Sequence, residues 1–182
     1  MSDQLRIAIF TIVEGVTLVV WLALARGAAS IGLMIAALAV LVVGFTVEHI
    51  MAYNVIHNRG LLDLRGVPVG QKSVVSLIES GIWALWLVLA GLNAILAGVV
   101  LTGLLVLEHT ISDNVFKGRG TFSRLLDAST IGFSLIEAVG AGIWLVLVDA
   151  NMAVVGIVIL LVASFIEHTL AVALARKQTV RA

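Results

Sequence analysis

Six long apolar segments are the feature that most constrains what this chain can fold into. Each is long enough to cross a hydrocarbon core of roughly 30 Å as a helix. In lipid the backbone polar groups cannot reach water, so they must be satisfied within helices. The sequence therefore predicts an all-α integral membrane six-helix bundle, a single transmembrane domain over residues 1–182, with spans at 5–25, 30–56, 73–92, 94–115, 125–148 and 151–175.

Composition supports this class and excludes others. Hydrophobic residues make up 61% of the 182 positions and charged residues 12%, too apolar for a soluble domain of this length. The net charge is zero and no long run of one sign occurs, which argues against a nucleic-acid partner and leaves the lipid bilayer. The absence of Cys excludes disulfides, thiolate metal sites and iron–sulfur clusters.

Loop lengths and charges predict the topology. The loops "RGAAS", "GLN" and "DAN" after the first, third and fifth spans are short enough to close tight hairpins. Arg26 is the one basic residue at these turns. The positive-inside rule then predicts cytoplasmic N- and C-termini and a multi-pass protein of the cell or inner membrane. The basic residues on the other side are Arg6, Arg59, Arg65, Lys72, Lys117, Arg119, Arg124, Arg176, Lys177 and Arg181.

The three hairpins read as copies of one unit, over residues 5–60, 72–120 and 125–176. Each odd-numbered helix carries a Glu followed seven residues later by a Trp, and each even-numbered helix carries adjacent Glu and His. This internal repeat predicts a pseudo-threefold axis along the membrane normal. The repeated residues are Glu14 with Trp21, Glu79 with Trp86, Glu137 with Trp144, and the pairs Glu48–His49, Glu108–His109 and Glu167–His168.

The first two copies share a further pattern that the third copy lacks. Asn54 and Asn114 each follow the repeated His by five residues, and an Arg-Gly pair comes next in both copies. Ala173 stands at the corresponding position of the third copy.

All six Glu residues of the chain belong to the repeat, and helical rise places them in one layer roughly 18–27 Å from the short turns. A charged side chain at the centre of a membrane helix costs about 2.5–3.5 kcal/mol. The basic residues flank the spans, so we expect protons, the three repeated His residues, bound cations or water to neutralise this layer.

Metal binding accounts most simply for the pattern, since Glu oxygen and His nitrogen are ligands for iron, zinc, manganese and copper. Six carboxylates carry a charge of −6, which three divalent ions would balance. The number of ions, whether one, two or three, remains open. So does a structural alternative in which protonated Glu hydrogen-bonds between helices. The predicted metal ligands are Glu14, Glu48, His49, Glu79, Glu108, His109, Glu137, Glu167 and His168.

The ligand inventory of each repeat is similar to that of ferritin-like di-iron carboxylate proteins. Those proteins use, in each half, a Glu on one helix and a Glu-x-x-His on the next. The likeness concerns ligand chemistry alone, because here Glu and His are adjacent, the units number three, and the bundle spans a membrane.

The Trp residues admit two interpretations. Each lies on the helix face of its Glu, about 10 Å nearer the short turns. An interfacial aromatic belt is the favoured interpretation, and a lid over the carboxylate layer or a pocket lining is the other. Trp83 has no counterpart and is expected to serve packing or lipid contact.

The leading functional prediction is a membrane metalloprotein, a metal-dependent oxidoreductase performing redox or oxygen-dependent chemistry on an apolar, lipid-like molecule. The first alternative is a transporter or channel for protons or divalent cations that uses the Glu layer as its site. The second is a structural or pigment-binding accessory subunit. The sequence is also compatible with a homo-oligomer.

Overall fold

The computed structural model describes residues 1–179 and is helical throughout its ordered elements. Arg181, counted above among the basic residues, lies outside that range. All six long helices are long and apolar enough to cross a membrane, which confirms the predicted all-helical class. The helices are α1 (Asp3–Arg26), α2 (Ile31–Ile56), α3 (Val69–Ala90), α4 (Ala94–Phe116), α5 (Ile131–Asp149) and α6 (Ala153–Thr179), with a 3₁₀ turn at Ala128–Thr130 before α5.

Two helix starts differ from the predicted ones. α3 begins at Val69, four residues before the predicted 73, because Pro68 occupies its N-cap and accepts the backbone N–H of Lys72. Lys72 is consequently buried inside the helix instead of flanking it. α5 begins at Ile131 and not at 125, because the Asp127 side chain caps the preceding 3₁₀ turn by accepting the backbone N–H of Ser129.

Each helix packs on the next along the chain, and α6 packs on α1, so the helices form a closed ring. The turns after α1, α3 and α5 are short, so these pairs are antiparallel hairpins. We call the side of these three turns the hairpin side. The opposite side, with the N-terminus and the α2–α3 and α4–α5 loops, is the terminal side.

A dense apolar core fills the bundle on the hairpin side. Trp21, Trp86 and Trp144 are only 1–2% exposed within it, so the prediction of an interfacial belt is wrong. The wholly buried Trp83 explains why, since its ring packs edge-on against Trp21 and Trp86 at centroid distances of 6.4 and 5.4 Å. These edge-on contacts favour the buried positions of Trp21 and Trp86.

The buried Asn54 organises the α2–α3 loop. Its Nδ2 donates to the carbonyl oxygens of Leu61 and Asp63, both at 3.0 Å. The backbone carbonyl of Asn54 accepts the backbone N–H of Arg59 at 2.8 Å. One side chain thus pairs backbone carbonyls that the turn would otherwise leave without partners.

Asn114 performs the same role in the α4–α5 loop. Its Nδ2 donates to the carbonyl oxygens of Thr121 and Arg124 at 3.1 and 2.8 Å. Its backbone carbonyl accepts the backbone N–H of Arg119 at 2.8 Å. Ala173 occupies the third position, inside α6, which continues to Thr179. The two Asn residues therefore coincide with the α2–α3 and α4–α5 loops that they organise.

We expect Asn54→Ala to lower the free energy of unfolding by about 1–3 kcal/mol, because it removes both bonds and leaves part-buried carbonyls unpaired. Unfolding of the detergent-solubilised protein with SDS measures the change. Gln71→Ala, at an exposed position near the start of α3, is the control. Equal stability of the two variants would contradict the proposed role of Asn54.

Candidate metal centre

The structure gathers all nine predicted ligands inside the bundle, between the apolar core and the terminal side. The six carboxylates come from six different helices and are 3–7% exposed. Helices α2, α4 and α6 each add the adjacent His. No Lys or Arg forms an ion pair with these Glu residues in the part of the chain that the structure describes.

His49 contacts carboxylates from three helices. Its Nε2 lies 3.7 Å from Glu48 Oε2, 3.6 Å from Glu79 Oε2 and 3.5 Å from Glu108 Oε1. The ligand atoms of His49, Glu79 and Glu108 all lie within 4.8 Å of one another. This buried group could hold a metal ion.

His109 on α4 has an equivalent environment. Its Nε2 lies 3.7 Å from Glu108 Oε2, 3.3 Å from Glu137 Oε2 and 3.6 Å from Glu167 Oε1. As at His49, the partners are the preceding Glu of its own helix and both Glu residues of the next hairpin.

His168 completes the arrangement because α6 packs on α1. Its Nε2 lies 3.2 Å from Glu167 Oε2, 3.6 Å from Glu14 Oε2 and 3.7 Å from Glu48 Oε1. The next hairpin around the ring after α6 is the first hairpin, formed by α1 and α2. The nine residues therefore form one continuous cluster.

The six carboxylates divide into two kinds by their contacts. Those of α1, α3 and α5 each approach one His, whereas those of α2, α4 and α6 each present one oxygen to one His and the second oxygen to another. Each bridging Glu thus contacts both the His of its own pair and the His of a neighbouring hairpin. The bridging residues are Glu48 between His49 and His168, Glu108 between His49 and His109, and Glu167 between His109 and His168.

A hydroxyl group on α3 fixes the orientation of His49. Ser76 Oγ lies 2.9 Å from His49 Nδ1 and donates its single proton to the Lys72 carbonyl, also at 2.9 Å. The Ser76 oxygen can then only accept a hydrogen bond from His49, so His49 Nδ1–H is the donor. In the neutral ring Nε2 carries an unprotonated lone pair, which faces the carboxylates.

The other two histidines have similar hydroxyl partners. Ser134 Oγ lies 2.7 Å from His109 Nδ1 and donates to the Thr130 carbonyl at 2.9 Å. Thr11 Oγ1 lies 2.8 Å from His168 Nδ1. Sequence analysis missed these residues, although each lies three positions before the Glu of an odd-numbered helix and could have been found by aligning the repeats.

The nitrogen-to-oxygen distances suit a shared ion better than direct hydrogen bonds. They span 3.2–3.7 Å across the cluster, whereas N–H···O bonds are typically about 2.7–3.2 Å. Two ligands of a tetrahedral ion with bonds of about 2.0–2.2 Å are separated by about 3.4 Å. The distances around His49 Nε2 therefore fit the edges of a metal coordination sphere, and the ligand atoms of His49, Glu79 and Glu108 are also close to one another.

Unpartnered oxygen atoms point to the same conclusion. Glu14 Oε2, Glu79 Oε2 and Glu108 Oε1 are buried without a hydrogen-bond partner among the described residues. Each of these oxygens is directed at a His Nε2. Buried acceptors that face another lone pair are unfavourable unless a proton or a metal cation lies between them.

A cavity of about 80 Å³ lies among the nine Glu and His side chains, all of which line it, and extends to the terminal side. Apolar side chains form much of the rest of its wall, with Asp113, Ser112 and Thr130 as further polar members. The buried Lys72 ammonium lies 3.3 Å from the centroid of the Phe116 ring, and not on a carboxylate of the cluster. The centre is thus approached from one side by a mainly apolar space.

Comparison of the chain with family models, with curated proteins and with solved structures finds no significant match. The functional conclusion therefore depends on the geometry and chemistry of the site.

We expect Ser76→Ala to weaken binding of Zn²⁺ or Co²⁺ by about 10–100-fold, because it removes the group that orients His49. Metal titration of the solubilised protein measures the affinity. Ser73→Ala is the matched control, since Ser73 lies on the same helix and also bonds its i−4 carbonyl, that of Val69, at 3.0 Å. Equal affinities in the two variants would argue against a role for Ser76 in positioning the ligand.

Proposed function

We propose that this chain is an integral membrane metalloprotein in which the nine Glu and His residues hold three divalent transition-metal ions. Each ion would take one His Nε2, one oxygen of a non-bridging Glu, and one oxygen from each of two bridging Glu residues. The observation that carries the proposal is the recurrence of this ligand set, at 3.2–3.7 Å, around His49, His109 and His168.

The charge of such a centre supports the proposal. Six carboxylates contribute −6, three neutral imidazoles contribute nothing, and three divalent ions contribute +6. The buried cluster would then be neutral overall, as a site in a membrane interior requires. Three oxygens and one nitrogen per ion suit iron, manganese and zinc, with copper as a further member of the class.

The proposed activity is that of a metal-dependent membrane oxidoreductase acting on an apolar molecule from the bilayer. The cavity supports this role because it places Phe10, Phe133 and Val172 beside the Glu–His cluster. A redox-active ion such as iron or manganese would supply the electron chemistry when bound. The protein residues would bind the ions, orient the imidazoles and exclude bulk water.

Two alternatives receive less support. Transport requires a polar route to both sides, but the core on the hairpin side packs Leu41, Phe45, Leu101 and Trp83 without measurable exposure. A pigment held through His would require a free ring nitrogen. In each repeated His, Nε2 faces carboxylates and Nδ1 bonds a hydroxyl.

We further propose that the chain consists of three tandem copies of one hairpin related by a pseudo-threefold axis. The closed ring of helices and the recurring contacts of the three histidines support this arrangement. The basic residues of the terminal side favour placing that side, and both termini, in the cytoplasm.

We expect the protein, purified without chelators from a metal-replete culture, to contain three transition-metal ions per chain. Elemental analysis measures the content, and removal of the ions by a chelator should lower the melting temperature.

Glu167→Gln should reduce the metal content, because it removes charge from a bridge between two His residues. The control is Asp149→Asn, at an exposed carboxylate that pairs with Arg26. A fully folded, metal-free wild-type protein would refute the proposal.

We expect proteoliposomes containing the protein to show no flux of protons or divalent cations above that of empty vesicles, because the hairpin side is packed. Fluorescent indicators trapped inside the vesicles measure the flux. Flux that disappears on Glu79→Gln or Glu108→Gln would instead establish the transport alternative.

A further inference from the structure

The surroundings of the three histidines differ on the terminal side. Phe10 packs edge-on against His168 at a centroid distance of 4.5 Å, and Phe133 packs in the same way against His109 at 5.1 Å. Both Phe residues line the cavity. Each immediately precedes the hydroxyl residue that bonds its His. The equivalent residue beside His49 is Val75.

The environment of His49 is closed. Val75 packs with Ile111 and Val115 in a buried apolar cluster, and Glu79 is the only residue of α3 that lines the cavity. All three histidines border the cavity, but the His49 side chain is 7% exposed, against 15% for His109 and 14% for His168.

The spacing of the ligand atoms shows the same difference. Among residues 1–179, His49 with Glu79 and Glu108 is the only group whose ligand atoms all lie within 4.8 Å of one another. Metal sites that serve structure have closed coordination, whereas reactive sites keep a position for an exogenous ligand. The compact, buried His49 group has the first character, whereas the side chains of His109 and His168 are about twice as exposed.

We infer that the centre divides into one closed ion site at His49 and an open pair of sites at His109 and His168. Glu167 joins the open pair, giving one oxygen to each His. The open pair binds a small exogenous ligand in the cavity, a molecule of two or three heavy atoms. The cavity of about 80 Å³ sets an upper limit of a few heavy atoms on this ligand, since a water molecule occupies about 30 Å³ in the liquid. This inference rests on the proposed metal centre.

Azide, a triatomic anion that binds metal ions with open positions, is a suitable probe. The experiment titrates azide into the Co²⁺-loaded full-length protein and follows the visible absorption bands of the metal. Ala171→Phe fills the cavity that Ala171 lines, three residues after His168 on α6. Ala173→Phe is the matched control, because Ala173 is exposed on the same helix and does not line the cavity.

We expect azide to shift the spectrum of the wild type and of Ala173→Phe, and to bind Ala171→Phe about tenfold or more weakly, with metal content unchanged in all three. Absence of azide binding to the fully loaded wild type, or equal binding by both variants, would overturn the inference. A protein that takes up no metal would instead refute the proposed function.

A second measurement uses the wild type alone, in case the Ala171 variant does not fold. We expect a chelator to remove about two of the three ions quickly and the third at least about tenfold more slowly, because the His49 site is closed. Release of all three ions in one kinetic phase would contradict the division into closed and open sites.

Discussion

Mutual repulsion of six carboxylates in a membrane interior is the constraint on which the rest of this structure depends. The Glu residues converge from all six helices, and none is paired with Lys or Arg in the described range. Isolated charges in such a setting are costly, and like charges in contact are more so. The three imidazoles cannot balance the layer alone, because even with a second proton on each ring they would offset only three of the six negative charges. In the proposed centre, three divalent cations balance all six.

Much of the fold could be predicted from the sequence, because a bilayer leaves few choices for an apolar segment. Length and hydrophobicity placed all six helices, with errors of four residues or more at the starts of α3 and α5 and at the end of α6. Those two starts depend on Pro68 and on the Asp127 turn, which are local caps that hydrophobicity does not register. The caps also explain why Lys72 lies inside α3 and is buried.

The candidate site could be predicted in its residues but not in its contacts. Repetition and charge identified the nine side chains, whereas the assignment of each Glu48 oxygen to a different His requires the packing of α6 beside α1 and α2. The supporting hydroxyls were overlooked because Ser and Thr are common in membrane helices and carry no charge. The burial of Trp21 was mispredicted because depth alone does not tell whether an indole faces lipid or a neighbouring Trp83.

The two halves of the bundle have opposite properties, and together they restrict what the centre can do. The hairpin side is a packed core in which Trp83 contacts two other indoles, and its described residues leave no polar route through it. The terminal side contains the cavity and the variable residues Phe10, Val75 and Phe133. In the proposed repeat, each copy keeps the same Glu and His residues while the apolar residue beside its His differs. Difference among the three proposed sites would then arise beside the ligands, where a change of one apolar side chain opens or closes access without altering the charge balance.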